Sequence, residues 1–149
     1  MANSQFAMAV HVMAMLAKNC DERIKSSYIA KSVNTNAVVI RRLLSDLHEA
    51  NLVVSQTGYS GGTCLTRQPA DVCLLEIYEA VSHDNIFGLH AKEPDRDCEI
   101  GSTITGVLGK LQVEIDEAVK QKFASYTLQD VIDELVKCKE EKGEKILSE

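Results

Sequence analysis

Proline and glycine are scarce in this chain of 149 residues, which contains two prolines and eight glycines. Because both residues mark turns and proline interrupts helices, their scarcity predicts a mostly helical chain with few sharp turns. No apolar run approaches the roughly 18 residues that a membrane-spanning helix needs. The apolar start of the chain lacks a basic region before it, which argues against a secretory signal. We therefore expect a cytoplasmic protein with no membrane partner.

The cysteines do not form a recognisable disulfide framework. They number five, an odd count, and their spacing is irregular. Free thiols are the default in a reducing compartment. Apolar residues make up 45% of the chain and charged residues 26%, as in ordinary globular proteins. These values exclude a disordered chain or a disulfide-stapled miniprotein, and the length suits about one domain.

The net charge of −6 is unevenly distributed along the chain. Residues 1–70 carry seven cations and four anions, whereas residues 71–149 carry nine cations and eighteen anions. If the protein binds a polyanion, the basic front half is the half expected to bind it.

The front half of the chain is predicted to begin with three helices. Apolar residues recur at helical spacing from Gln5 to Lys18, at Phe6, Val10, Met13 and Ala17. After a polar loop, Ser26 is a candidate cap for a short helix over 27–32 with Ile29 and Ala30 inward. Thr35 and Asn36 can cap a longer helix to about Ala50, which Asn51 would end. The expected buried stripe of this third helix is Ile40, Leu43, Leu44 and Leu47.

Two short strands should follow the third helix. Residues 52–56 and 63–66 flank the turn Gly58-Tyr59-Ser60-Gly61-Gly62, a pattern typical of a β-hairpin. A further helix is predicted from Leu74 to Val81. Residues 83–101 show no periodicity and are expected to form a loop.

The rear half begins with a heptad pattern. Ile104, Leu108, Leu111, Ile115 and Ala118 are spaced by four and three residues in turn, as in helices that pack lengthwise on one another. Thr127 and Asp130 form a capping box that should open a last helix. We divide the chain into a head (1–82), a sensor or linker loop (83–101), dimerisation helices (102–138) and a charged, disordered tail (139–149).

The order helix, short helix, turn, helix and hairpin predicts a winged helix-turn-helix, a mainly α fold with a small β wing. In such a fold the third helix enters the DNA major groove and the hairpin reaches the flanking backbone. Arginine can pair with guanine, asparagine with adenine, and valine can touch the thymine methyl group. The alternative is that the two adjacent arginines only solvate a surface helix. The candidate DNA-binding residues are Asn36, Val38, Val39, Arg41, Arg42, Tyr59, Ser60, Gly61 and Gly62.

Three segments carry a resemblance to a known family. They are IAKSVNTNAVVIRRLLSDLHEANLV (29–53), GYSGG (58–62) and PADVCLLEIYEAV (69–81). In this order they resemble the Rrf2 family of bacterial transcription regulators over roughly residues 4–135. The resemblance implies a homodimer on a palindromic operator, with a winged-helix head and a long helix that crosses to the partner. Ile104, Leu108, Leu111 and Ile115 would then lie in the dimer interface.

The chain departs from the family pattern at three places. Members with an iron–sulfur cluster have three closely spaced cysteines in the loop before the long helix, where this chain has only Cys98. We therefore expect no cofactor and no metal, as in the clusterless branch of the family. Thr57 stands where the family wing often has an arginine that enters the minor groove. Arg41 stands where a glutamate sets sequence choice in the iron–sulfur regulators, so the family's target preference does not transfer.

Cys98 is the candidate redox sensor, whose oxidation would shift the dimer away from DNA. The alternative is that Cys98 is an incidental thiol. Two nearby cations, Lys92 and Arg96, against three nearby anions predict a modestly rather than a strongly activated thiol. No phosphate-binding loop or nucleophile set is evident, so we do not expect an enzyme. The sequence favours a dimeric DNA-binding regulator, most simply a repressor that responds to redox state or to an unidentified small molecule. The alternative is a dimeric interaction or small-molecule-binding protein that has lost DNA binding.

Overall fold

The computed structural model of the protein describes residues 4–148. In this range the chain forms six α-helices, one β-hairpin and a short 3-10 turn, which confirms the predicted fold class. The elements are α1 (Gln5–Lys18), α2 (Ser26–Val33), α3 (Ala37–Glu49), β1 (Val53–Gln56), β2 (Gly62–Leu65), the 3-10 turn (Pro69–Asp71), α4 (Leu74–Val81), α5 (Ile104–Ala124) and α6 (Leu128–Ser148). Within the described residues, no helix is both long and apolar enough to cross a membrane.

The first three helices enclose most of the hydrophobic core. The predicted stripe of α3 is buried, as are Ile29 and Ala30 of α2. On α1 the fully buried residues are Ala9, Val12, Met13 and Leu16. Of the four positions predicted from spacing, only Met13 is fully buried, whereas Phe6, Val10 and Ala17 are half-buried against the core. This helix is apolar nearly all round, so its spacing alone could not identify the face that packs deepest.

Local backbone signals set the ends of the helix-turn-helix. Asn34 and Asn51 adopt left-handed φ angles of 63° and 60°, and Asn51 ends α3 as predicted. The Asn36 Oδ1 atom accepts a hydrogen bond from the Val39 N–H at 3.0 Å and caps α3. The prediction that Ser26 caps α2 is wrong, because Lys25 occupies the extended N-cap position and Ser26 lies inside the helix.

The hairpin is attached to the segment before α2. Val53 pairs with Leu65 and Gln56 with Gly62 in an antiparallel register. Ile24 and Thr63 exchange two backbone hydrogen bonds of 2.9 Å, so the wing is also bonded to the chain that enters α2. Gly62 has a φ of 143°, and a Cβ there would meet the backbone of Arg23 and Ile24 at 2.9 Å. The wing and the helix-turn-helix are therefore joined through backbone contacts.

A capping box opens α4. The Cys73 N–H donates to Glu76 Oε2 at 3.0 Å. The Arg67 Nη2 atom lies 2.9 Å from Glu76 Oε1. Partial burial works to raise the pKa of Glu76, but hydrogen bonds from Arg67 and from the Cys73 N–H outweigh it and set this pKa below its ordinary value.

The two rear helices return to the head. The Leu128 N–H donates to Val72 O at 2.8 Å, and Leu128 is fully buried. Phe123, at the end of α5, stacks on Tyr78 with ring centroids 4.6 Å apart and meets Phe6 edge-on at 4.9 Å. The end of α5 and the start of α6, which the sequence assigned to the dimerisation helices, therefore pack against the head.

The last helix also extends beyond its predicted end. The predicted capping box is present, since Thr127 and Asp130 exchange hydrogen bonds of 2.8 and 3.2 Å. From there α6 continues to Ser148, which corrects the prediction of a disordered tail for residues 139–148. Lysine and glutamate, which dominate this segment, are strong helix formers. Glu149 lies outside the described residues.

Residues 82–103 lie between α4 and α5 without regular secondary structure, as predicted for 83–101. The loop is bonded to α5 at two points. The Ile86 N–H donates to Asp116 Oδ1 at 2.8 Å, and the Gln112 side chain donates to Phe87 O at 2.6 Å. The loop therefore follows the surface of α5 rather than standing free of it.

Candidate nucleic-acid interface

Three side chains of α3 project into solvent beside the wing. Val38 is 58% exposed, and Arg41 and Arg42 are exposed. Val39 is half-buried, and the exposed Asn36 already uses its Oδ1 atom for the cap. Exposure of the apolar Val38 side chain to water does not stabilise the protein. An exposed valine can, however, contact a thymine methyl group.

The tip of the wing carries the most exposed ring of the described chain. Tyr59 is 98% exposed, and the Lys25 Nζ atom lies 5.5 Å from its ring centroid. Ser60 is exposed, but Gly61 is buried and Gly62 is half-buried within β2. Of the four predicted wing residues, the structure therefore makes Tyr59 and Ser60 available to a partner, while the two glycines shape the turn.

A groove of about 610 Å³ lies between α3 and the wing. The start of α2, α3 and both strands line it together. The lining residues are Lys25, Ser26, Ser27, Arg41, Leu44, Ser45, His48, Ser55, Gln56, Thr57, Gly58, Gly61, Gly62 and Thr63. No carboxylate is among them. Sequence reasoning missed Lys25, the two α2 serines and His48 as members of this site, because their proximity arises only from the packing of three separate elements.

Cys98 lies in an exposed turn of the 82–103 loop. Backbone N–H groups of Gly101 and Ile100 hydrogen-bond to its sulfur and lower the pKa of the Cys98 thiol. The turn is closed by a 2.9 Å hydrogen bond from the Ser102 N–H to Cys98 O. The sequence-based argument considered only neighbouring charges and could not include these amides, which depend on the local backbone fold.

The heptad stripe of α5 is only partly covered by the described residues of its own chain. None of its residues is buried: Leu111 and Ile115 are 44% and 41% exposed, and Ile104 and Leu108 are half-buried. The loop contacts at Gln112 and Asp116 lie on a neighbouring face of the helix. The stripe is thus most open in the middle of α5, at Leu111 and Ile115.

A helix-turn-helix followed by a hairpin, with exposed arginines on the second helix of the pair, defines a winged-helix DNA-binding protein. Residues 2–134 match the Rrf2 family, described as iron-dependent transcriptional regulators. The chain belongs to the Rrf2 family of transcription regulators, as its sequence resemblance indicated.

Similar proteins support the same assignment. The chain is 37% identical over 136 residues to YwnA of Bacillus subtilis, a protein assigned to the HTH-type transcriptional regulators, covering 91% of this chain and 99% of YwnA. A crystal structure of a protein classed as DNA-binding is 36% identical, with a TM-score of 0.71 over 87% of this chain and 99% of that one. CymR, the global cysteine regulator of B. subtilis, is 25% identical, with a TM-score of 0.64 over 89% and 96% of the two chains. YwnA and CymR are regulators, as the Rrf2 family is described to be, and the protein is not an enzyme.

The family description mentions iron, but the metal-ligating side chains in the 82–103 loop do not suit an iron–sulfur cluster. An iron–sulfur cluster needs several cysteine thiolates, usually four, and Cys98 is the one thiol in residues 82–103. Across the described residues, no three His, Cys, Asp or Glu side chains come together in a group that could hold a metal ion.

Proposed function

We propose that the protein is a homodimeric, sequence-specific DNA-binding repressor that acts in the cytoplasm on a palindromic operator. The observation that carries this proposal is the exposure of Val38, Arg41 and Arg42 on one helix, beside a groove without a carboxylate. Arginine supplies bidentate pairing with guanine and valine an apolar contact with thymine. A dimer seated on a promoter would repress by occluding polymerase.

A second copy of the chain is the expected cover for the open stripe of α5. A further apolar groove of about 460 Å³ lies between α1 and α6. Its lining residues are Ala7, Val10, His11, Ala14, Met15, Lys18, Val131 and Leu135. Covering both surfaces in a dimer would remove them from water. A palindromic operator would require the two α3 helices of the dimer to lie at multiples of roughly 34 Å.

Regulation is proposed to enter through Cys98 and not through an iron–sulfur cluster. A depressed pKa increases the thiolate fraction, and the exposed turn gives oxidants access to the sulfur. Oxidation would add a polar or charged group to the loop that is hydrogen-bonded to α5. Iron analysis of protein purified without oxygen tests the absence of a cluster.

The test of DNA binding is a titration of a labelled duplex from the region upstream of the coding sequence, followed by fluorescence anisotropy. Wild-type protein should bind with an affinity that falls as salt rises, because phosphate contacts release counterions. Arg42→Ala should cost about 1–3 kcal/mol if it pairs with a base. Lys139→Ala, in the acidic rear half, is the matched control and should bind like wild type.

Unchanged affinity of an Arg41→Ala, Arg42→Ala double variant would contradict the assignment of α3 as the reading helix. Binding that is absent for the wild type at low salt would instead favour an interaction protein that has lost DNA binding.

A further inference from the structure

The groove between α3 and the wing has the chemistry of a phosphodiester site. Lys25 and Arg41 supply positive charge, and hydroxyl groups of Ser26, Ser27 and Ser45 line the same space. No aspartate or glutamate lines it, although the whole chain carries a net charge of −6. Such a local exclusion of acidic residues is expected where an anion binds.

The fold explains which anion would enter. In a winged helix the reading helix occupies the major groove and the wing approaches the flanking backbone. The major and minor grooves of a duplex are separated by one sugar–phosphate strand. The groove between α3 and the wing therefore lies where that strand must pass, if the protein binds DNA as proposed above.

His48 is the unusual member of this groove, because one of its ring nitrogens is already engaged. Its Nδ1 atom lies 3.2 Å from the carbonyl oxygen of Val53. A carbonyl can only accept, so Nδ1 carries the hydrogen, and in the neutral ring Nε2 is then an acceptor. A phosphate oxygen also only accepts. Nε2 can therefore donate to a phosphate only when the ring is the doubly protonated imidazolium.

The charges around His48 differ between the free and the bound state. Lys25 faces the groove from the start of α2 and Arg41 from α3, and the wing contributes no charged group. The nearest carboxylates of α3 in sequence, Asp46 and Glu49, are not among the lining residues. The groove is therefore positively charged when it is empty, and a phosphate bound in it would pair with Lys25, with Arg41 and with an imidazolium at His48.

We propose that this groove holds one phosphodiester strand and that His48 contacts it only as an imidazolium, so that each head takes up a proton when it binds DNA. This inference rests on the proposed DNA-binding function and adds to it a residue and a proton linkage. Because the contact is to the backbone, the linkage must be the same for every DNA sequence.

The experiment uses full-length protein and a labelled duplex of mixed sequence at constant, low ionic strength. Wild-type affinity should rise several-fold per head between about pH 8 and about pH 6, where histidine changes charge. His48→Asn keeps an N–H that can donate to Val53 O and cannot ionise, so its affinity should lose most of this pH dependence. His90→Asn, in the exposed 82–103 loop, is the matched control and should keep the wild-type dependence.

Calorimetry of the wild type in buffers of different ionisation enthalpy counts the protons directly and does not depend on the folding of any variant. Uptake of protons on binding supports the inference. DNA binding without proton uptake, a pH dependence that survives in His48→Asn, or a dependence confined to one operator sequence would each overturn it while leaving the DNA-binding function intact. Absence of DNA binding at every pH would instead defeat the proposed function itself.

Discussion

Asn36 has two polar atoms with separate tasks. Its Oδ1 atom caps α3 through the Val39 N–H, while the side-chain amide nitrogen is free to donate to a base acceptor. Asn36→Ala should destabilise the protein by about 0.5–2 kcal/mol, as expected for a lost cap. Urea unfolding would measure this loss.

The matched variant Asn36→Ser separates the two tasks. Serine retains a cap acceptor, so stability should stay within a few tenths of a kcal/mol of wild type. Operator affinity should fall by about 1 kcal/mol if the amide nitrogen contacts a base. Equal operator affinity of the wild type and Asn36→Ser would assign Asn36 to helix capping alone.

The reactivity of Cys98 should depend on Gly101. A Cβ at Gly101 would collide with the backbone carbonyl of Asp95, so Gly101→Ala should open the turn and withdraw the amides from the sulfur. In wild type, the alkylation rate of Cys98 should reach half its maximum at a lower pH than that of a free model thiol. In Gly101→Ala the curve should move towards that of the model thiol.

Peptide-resolved mass spectrometry after iodoacetamide treatment would follow Cys98 separately from the other four thiols. Gly88→Ala changes a glycine of the same loop whose Cβ would enter open space, and it should leave the curve in place. The sensor role is tested in parallel with Cys98→Ser: equal loss of operator binding in both proteins after mild oxidation would exclude Cys98 as the switch.

At the scale of elements, the sequence predicted the features that depend on neighbouring residues. It did not predict those that depend on packing between residues far apart in the chain. The cap at Asn36, the left-handed Asn51 and the stripe of α3 were all predicted correctly, because each depends on residues within a few positions. The burial of Leu128 in the head depends on contacts with residues more than fifty positions away, such as Val72. For the same reason the groove around His48 could not be predicted, although each of its residues was visible in the sequence.

The capping box of α4 gives a prediction about acid stability. Because the pKa of Glu76 is lowered in the folded protein, its contribution to stability is present above the unfolded pKa and is lost as the pH falls through the folded pKa. Glu76→Gln should therefore be less stable than wild type at neutral pH, by under about 1 kcal/mol for such an exposed pair.

The difference between wild type and Glu76→Gln should shrink as the pH falls through the lowered folded pKa of Glu76 and vanish well below it, where the wild-type carboxyl group is also neutral. Chemical denaturation at several pH values measures it. Glu79→Gln, an exposed position on the same helix, should show no comparable effect. A constant difference between wild type and Glu76→Gln at all pH values would show that the charge is not the cause.

At the scale of the whole molecule, the state of assembly depends on the open stripe of α5. Leu111→Asp would place a charge in the proposed seam and should yield monomers, because burial of an unpaired carboxylate is costly. Val113→Asp is the control: Val113 is 66% exposed and lies two residues further, about 200° around the helix from Leu111. This variant should remain dimeric.

Light scattering at micromolar concentration distinguishes these outcomes. Monomeric wild type, or dissociation by Val113→Asp as readily as by Leu111→Asp, would contradict the proposed seam. Because Leu111 is nearly half exposed and lies outside the core, loss of dimer in Leu111→Asp should leave the far-ultraviolet circular dichroism of the head unchanged.

The 21 residues of α5 form a rod about 30 Å long, held at one end by the ring of Phe123 against Phe6 and Tyr78. In the proposed dimer, a small tilt of α5 at the interface becomes a larger displacement at the end that contacts the head. Tilting α5 by about 5° at the seam moves the head end by about 3 Å, since displacement grows with arm length. Hydrogen bonds to base edges are lost over a shorter distance than that. A chemical change in residues 82–103 that tilts α5 by this amount would thus align the two heads of the proposed dimer with the DNA, or misalign them.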